Sequence, residues 1–261
     1  MRRTHVGPNA RWGGRAIALI AMAAAAPPIQ AQSIAQRVSR VRDGDVRMSF
    51  ATRPGVCGHG RNIMTFHDTD DWEGTCSPGP ARVVLTFRGG ALVDVDVYVG
   101  GRWRPARDDV VDLGTVPAAS AAEYLLTLAS QTTGHAGKEA ILPATLADSA
   151  EVWPDLLRIA KDRDLPPGTR KAAVFWLGQA AGEEALGELT SLIDDDNADR
   201  DLQEQAVFAL SQLRHDEGLP ALIEIARNHR DRRVRRRAMF WLGQSDDPRV
   251  IALFEEILLH H

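Results

Sequence analysis

No catalytic signature stands anywhere in this sequence. It has no Gly-x-Ser-x-Gly, no His-Glu-x-x-His and no Gly-x-Gly-x-x-Gly placed after a strand. Gly137-Lys138 comes nearest to a phosphate-binding loop, but Thr132 stands where the first Gly is needed, and Glu139 where Ser or Thr is needed. Triads are spatial and can escape a sequence motif, so these absences lower the expectation of an enzyme without removing it. No catalytic residue and no cofactor is expected. Cysteine is scarce: Cys57 and Cys76 are the only two. Long apolar runs are missing as well. The longest, Ala16 to Ala26, is shorter than the roughly 20 residues that span a bilayer as a helix.

That run has a context. Arg2, Arg3, Arg11 and Arg15 precede it with no acid among them, Pro27 and Pro28 end it, and Ile29-Gln30-Ala31 follows as a small-residue cleavage site. Basic, apolar, then small is the pattern of a secretory signal peptide. Residues 1–31 are therefore expected to be a signal peptide, and the protein to be exported, periplasmic or secreted. Membrane contact is expected only through that segment if it stays uncleaved. No Cys follows the apolar run, so a lipoprotein is not expected. Removing residues 1–31 takes away four Arg and leaves 27 Lys+Arg against 35 Asp+Glu, a net charge of about −8. An acidic chain is a poor general binder of nucleic acid. In an oxidising compartment Cys57 and Cys76 read as a disulfide; free thiols and metal ligation are the alternatives.

Between residues 32 and 133 the apolar pattern has period two. Val46, Met48 and Phe50 alternate; Val83 to Phe87 forms a second run; Leu92 to Val99 forms a third. Gly89-Gly90 lies between the last two, where a tight hairpin turn needs positive φ. Trp103 is expected to begin a fourth short strand. Pro117 to Leu126 reads as a helix with Pro near its first turn. These signals predict a small antiparallel sheet with one helix, its long Gly-rich loop tied by Cys57–Cys76. Gln131 to Gly137 reads as a linker.

From residue 138 to 261 the period becomes helical and the chain repeats itself. Ala173-Val174-Phe175-Trp176-Leu177-Gly178-Gln179 returns at Ala206 and again at Ala238, steps of 33 and 32. Pro154 and Pro220 lie 66 apart, two periods. Such a period marks stacked helix pairs, three complete and one partial. Thr169-Arg170-x-x-Ala173, Leu202-Gln203-x-x-Ala206 and Val234-Arg235-x-x-Ala238 match the Val-Arg-x-x-Ala opening of HEAT repeats. With the following Leu-Gly, the segment resembles the short bacterial HEAT-like repeats first named from phycobilisome lyases. The resemblance implies an α-solenoid that offers a protein-binding surface. The lyase activity does not carry over, because the chain has no bilin-handling site. The fold expected is therefore α+β: a small antiparallel sheet domain with one helix, then an α-solenoid of three to four HEAT-like pairs.

Three places could carry function. Phe175, Phe208 and Phe240 occupy a position that is polar in the family pattern, and at one-repeat spacing they would form a ladder along one flank. Exposed, the ladder is a recognition surface; covered, it is core. Arg230 to Arg237 contains six Arg, with Arg233 and Arg236 outward on the helical wheel. Alone this suggests an anionic site. One repeat earlier, however, lie Asp194, Asp195, Asp196, Asp199 and Asp201, so pairing between repeats is the plainer expectation. Third, Cys57-x-His59 with His67 and Cys76 would close a tetrahedral zinc site, and His59, His67 and Asp70 are the ligands left if the cysteines pair with each other. The spacing matches no known zinc module, and no metal is the plainer expectation.

The leading expectation is an exported, non-enzymatic interaction scaffold. Its rival is a metal-dependent or enzymatic sensor centred on the Cys57–Cys76 loop, with the repeats recruiting a substrate. The partner expected is another protein, and no nucleic acid. The C-terminal end carries Ile257, Leu258 and Leu259, which leaves it open to pairing with a second copy.

Overall fold

The computed structural model describes residues 33–65, 76–180, 182–213 and 216–259. The expected signal peptide, His67 and Asp70 lie outside the described residues.

A short helix, α1 (Ile34–Val38), is closed by a capping box between Ser33 and Gln36. The strands are β1 (Gly44–Phe50), β2 (Val56–His59), β3 (Asn62–Thr65), β4 (Ser77–Pro78), β5 (Ala81–Arg88), β6 (Ala91–Val99) and β7 (Val110–Thr115). They form a four-stranded sheet in the order β6-β5-β1-β7 and a three-stranded sheet in the order β3-β2-β4. Alternation sorts the larger sheet into two faces. Val46, Met48, Phe50, Val83 and Leu85 are fully buried on one face. The other carries Asp45, Arg47, Ser49, Arg82, Val84 and Thr86.

Two details differ from the sequence pattern. The run Leu92 to Val99 does not alternate throughout: Phe87 pairs with Leu92 and Thr86 with Asp94, so Val93 is an inserted residue and is exposed. The bulge lets Leu92 and Val95 both reach the core. The sheet is also not wholly antiparallel, because β7 runs parallel to β1. A parallel return from β6 at one edge to β7 at the other needs a crossover. Gly100 to Asp109 supplies it, passing β5 and β1 on the polar face. Trp103 lies in this crossover and begins no strand. Gly89 and Gly90 do make the expected turn, with φ of 59° and 82°.

The helices that follow are α2 (Ala118–Gln131), α3 (His135–Glu139), α4 (Ile141–Thr145), α5 (Trp153–Lys161), α6 (Pro167–Ala180), α7 (Gly182–Asp194), α8 (Arg200–Ser211), α9 (Leu219–Asn228), α10 (Arg232–Leu242) and α11 (Pro248–Leu259). Pro154 and Pro220 occupy the first turns of α5 and α9, where a missing N–H costs nothing. The complete pairs are α6 with α7, α8 with α9 and α10 with α11; α5 is the partial pair before them.

Short helices join the sheet to the stack. α3 packs on both β6 and α6, and α4 on both α2 and α6. The chain beyond β1 pairs with the segment after α4: Arg53 N donates to Leu146 O and Asp148 N to Ala51 O, both at 2.9 Å. A continuous apolar core runs from Ile34 to Leu253, and Ser33–His261 is one compact unit.

Candidate functional site

The repeat signature has a structural reason. A helix ends with carbonyls that no intrahelical N–H can reach. Arg170 Nε donates to Ala160 O at the end of α5, at 3.2 Å. One repeat on, Gln203 Nε2 donates to Ile193 O at 2.9 Å and Asp195 O at 3.0 Å, at the end of α7. Arg235 Nη1 donates to His229 O at 2.6 Å and Arg230 O at 3.1 Å, just past α9. The polar residue after Thr, Leu or Val in each opening is thus a side-chain cap for the preceding helix. This position belongs to the fold, not to a ligand.

The aromatic ladder exists, but Phe240 is not its third rung. Phe175 and Phe208 stack with ring centroids 6.0 Å apart and planes 11° apart. The next ring along is Trp241, 4.7 Å from Phe208. The second repeat has Ala209 at the position matching Trp241; this Ala is fully buried and packs against Gly178 of the preceding repeat. Phe240 is displaced outward, edge-on to Trp241 at 5.0 Å and 53% exposed. Trp176 stands edge-on to Phe175 at 4.9 Å. Phe175, Phe208 and Trp241 are half-buried, so the stripe is neither a closed core nor a bare surface. Arg237 lies over both Phe240 and Trp241, at 5.7 and 5.5 Å. The Trp241 indole N–H is buried with no partner among the described residues.

Beside Trp241 opens an acidic hollow of about 480 Å³ lined by Asp216, Asp246 and Asp247 with Gln212, Gln244 and Ser245. A hydrogen bond from the Arg249 side chain, joined by one from its backbone N–H, pulls the Asp247 carboxyl down to about 2. It is therefore ionised at any physiological pH.

The arginine run divides between structure and surface. Arg230 pairs with Asp196 across the repeat boundary and also donates to Asp194 O. Arg235 caps α9, and Arg237 covers the aromatics. Asp199 is held by Arg170 of the preceding repeat, and Asp201 by Lys171 at 2.7 Å. Charge pairing between repeats is thus present on both sides of the acidic loop. Arg233 and Arg236 are exposed on α10.

The cysteine loop is closed. Cys57 and Cys76 form a disulfide with Cα atoms 5.5 Å apart, so neither sulfur is a thiolate ligand. His59 ends β2, opposite Asn62 in the ladder. Among the described residues no three His, Cys, Asp or Glu side chains gather as a metal site.

A further site was not foreseen from the sequence. The crossover roofs the polar face of the sheet and leaves a cleft of about 640 Å³. Two cross-strand rows run beneath it, Tyr98 beside Arg82 beside Ser49 and Asp96 beside Val84 beside Arg47; of these Tyr98, Arg82, Val84 and Arg47 line the cleft. Trp103 packs edge-on to Tyr98 at 6.0 Å, with the Arg47 and Arg82 guanidiniums 5.1 and 5.3 Å from its ring centre. Arg47 donates to Asp112 through Nε at 2.8 Å and Nη2 at 2.7 Å. That bond holds the Asp112 carboxyl below its ordinary range. Arg82 is buried; it donates to the Gly100 carbonyl, and its Nε has no partner among the described residues. Gly100 sits at φ 67°, and a Cβ there would overlap the carbonyl oxygen of Gly58. The segment Arg102-Trp103-Arg104-Pro105-Ala106-Arg107 was the available signal. Its meaning stayed hidden because nothing local says that it folds over Arg47 and Arg82.

Among the described residues no helix is long and apolar enough to cross a membrane. No curated protein matches the sequence. Residues 196–261 match the family model for HEAT repeats, so this part of the chain carries HEAT repeats, which in general serve as protein-interaction scaffolds.

Proposed function

We propose that the protein is an exported, non-enzymatic scaffold that recognises a partner protein through the aromatic stripe of its repeats. The observation that carries this reading is Phe240: a large apolar side chain, 53% exposed, continuous through Trp241 with Phe208 and Phe175. Exposed aromatics with one face on a rigid neighbour are the usual anchors of interfaces. The acidic hollow beside Trp241 and the exposed Arg233 and Arg236 flank the stripe with opposite charges, which favours one docking orientation. The partner surface that fits is apolar at its centre, with a basic group on the side of Asp246 and Asp247. Export is supported by the basic-then-apolar start of the sequence and by the Cys57–Cys76 disulfide. Leu258 and Leu259, exposed at 79% and 82%, make pairing with a second copy part of the same reading.

The test compares affinity capture from the native periplasm by wild type, Phe240→Ser and Phe208→Ser. Phe240→Ser is expected to keep its thermal midpoint and lose the partner. Phe208→Ser is expected to lose stability as well, since it removes the middle ring of the stack. Identical capture by wild type and Phe240→Ser overturns the stripe as the binding face. Cell fractionation tests export: the chain should be recovered outside the cytoplasm, shortened near Ala31, and full-length cytoplasmic protein refutes it.

A further inference from the structure

We propose that the cleft on the polar face of the sheet binds a small organic anion, a carboxylate or phosphate carried on an apolar body. Charge is the first reason. Arg47, Arg82, Arg102, Arg104 and Arg107 line the cleft against one acid, Asp45. Two of these arginines are neutralised: Arg47 by Asp112, and Arg107 by Asp109 at 3.3 Å and Asp45 at 3.7 Å. Arg82, Arg102 and Arg104 have no carboxylate partner among the described residues. Three guanidiniums without a carboxylate among the described residues repel each other around one concavity, and a bound anion relieves that repulsion. Guanidinium forks match the oxygens of carboxylate and phosphate equally well.

Burial is the second reason. Arg82 is 6% exposed, and its Nε is shielded without a hydrogen-bond acceptor among the described residues. A buried charged donor left unsatisfied is costly, and here it lies under Trp103 at the floor of the cleft. Trp103 sits in an irregular segment that follows two glycines of positive φ, Gly100 at 67° and Gly101 at 72°. The indole thus covers Arg82 without being locked in a regular element. An anion entering beside it would find the unused donor.

The walls argue for an organic ligand rather than a bare inorganic ion. Trp103, Val84, Val110 and Pro105 give the cleft apolar sides, and a fully hydrated ion leaves such surface in contact with water. A volume of about 640 Å³ suits a molecule of small-metabolite size. Trp103, with the Arg47 and Arg82 guanidiniums over its ring, gives the apolar body a wall to pack against, and Arg102 and Arg104, exposed beside it in the chain, line the same cleft for the charged head.

Ligand-observed NMR on the full chain tests this with four probes: benzoate, phenyl phosphate, inorganic phosphate and uncharged benzyl alcohol. Benzoate or phenyl phosphate should bind more tightly than inorganic phosphate, and benzyl alcohol should not register. The tighter of the two aromatic anions identifies the head group. Raising the salt should weaken binding to the wild-type chain, a test that needs no substitution. The exposed pair Arg102→Gln, Arg104→Gln should weaken it about tenfold or more at an unchanged thermal midpoint. Trp103→Ala should weaken the aromatic anions but leave inorganic phosphate unaffected. Equal binding of benzyl alcohol and the aromatic anions overturns the proposal, and so does unchanged affinity in the double arginine variant.

Discussion

Replacing Gln203 with Leu removes a cap while keeping the volume of the side chain. Gln203 is 6% exposed and donates to Ile193 O and Asp195 O. Losing both bonds would cost about 1 kcal/mol each in an ordinary setting, and more where an acceptor is stranded away from water. Two features reduce the total. Asp195 is exposed, so water can replace one bond. Ile193 O keeps a second partner, because the backbone N–H of Asp231 donates to His229 Nδ1, which leaves His229 Nε2 as the donor 3.3 Å from Ile193 O. The expected loss is therefore about 1.5 kcal/mol, or roughly 3–6 °C in the thermal midpoint for a unit of this size. Thermal unfolding followed by far-UV circular dichroism reads it. Gln203→Arg should recover most of the loss, since Arg170 and Arg235 hold the corresponding positions. Gln203→Leu with His229→Leu should cost more than the sum of the two, because only together do they leave Ile193 O bare. A Gln203→Leu midpoint within about 1 °C of wild type, or strict additivity in the double variant, would refute the capping role.

Two further outcomes follow from the same structure. Non-reducing mass spectrometry should find the chain lighter by two hydrogens, and Cys57→Ser with Cys76→Ser should cost about 3 kcal/mol in urea unfolding for a loop of 19 residues; unchanged stability would show that the loop holds itself closed. Burial pushes the Tyr124 phenol from 10.0 up to about 12. Its folded-state value lies above the unfolded one, so the associated stability is complete below pH 10 and is lost as the pH rises through about 12. Tyr124→Phe should remove the last step of the tyrosinate absorbance titration, and a last step that survives the substitution would contradict the burial.

The sequence declares what depends on local period. Alternation over Val46 to Phe50 and Val83 to Phe87, and the recurrence of Ala-x-Phe at steps of 33 and 32, are enough to place strands and helix pairs, because each element must bury one face. The disulfide was legible for a similar reason: only two cysteines exist to be paired. The ion pairs between repeats were legible as a class, since register places an acidic loop beside a basic one. Which acid meets which base was not: Asp199 went to Arg170, and Asp196 took Arg230.

Tertiary structure decided the rest, wherever the outcome depended on two segments that no local rule connects. Trp241 rather than Phe240 became the ring next to Phe208, an outcome set by how the two repeats stack. Trp103 became the roof of a cleft instead of the start of a strand because β7 pairs with β1 on the far side of the sheet, and the chain must cross Arg47 and Arg82 to get there. Period fixes which residues share a face. It does not say what will be laid across that face, and here both candidate sites, the aromatic stripe and the arginine cleft, take their form from that second choice.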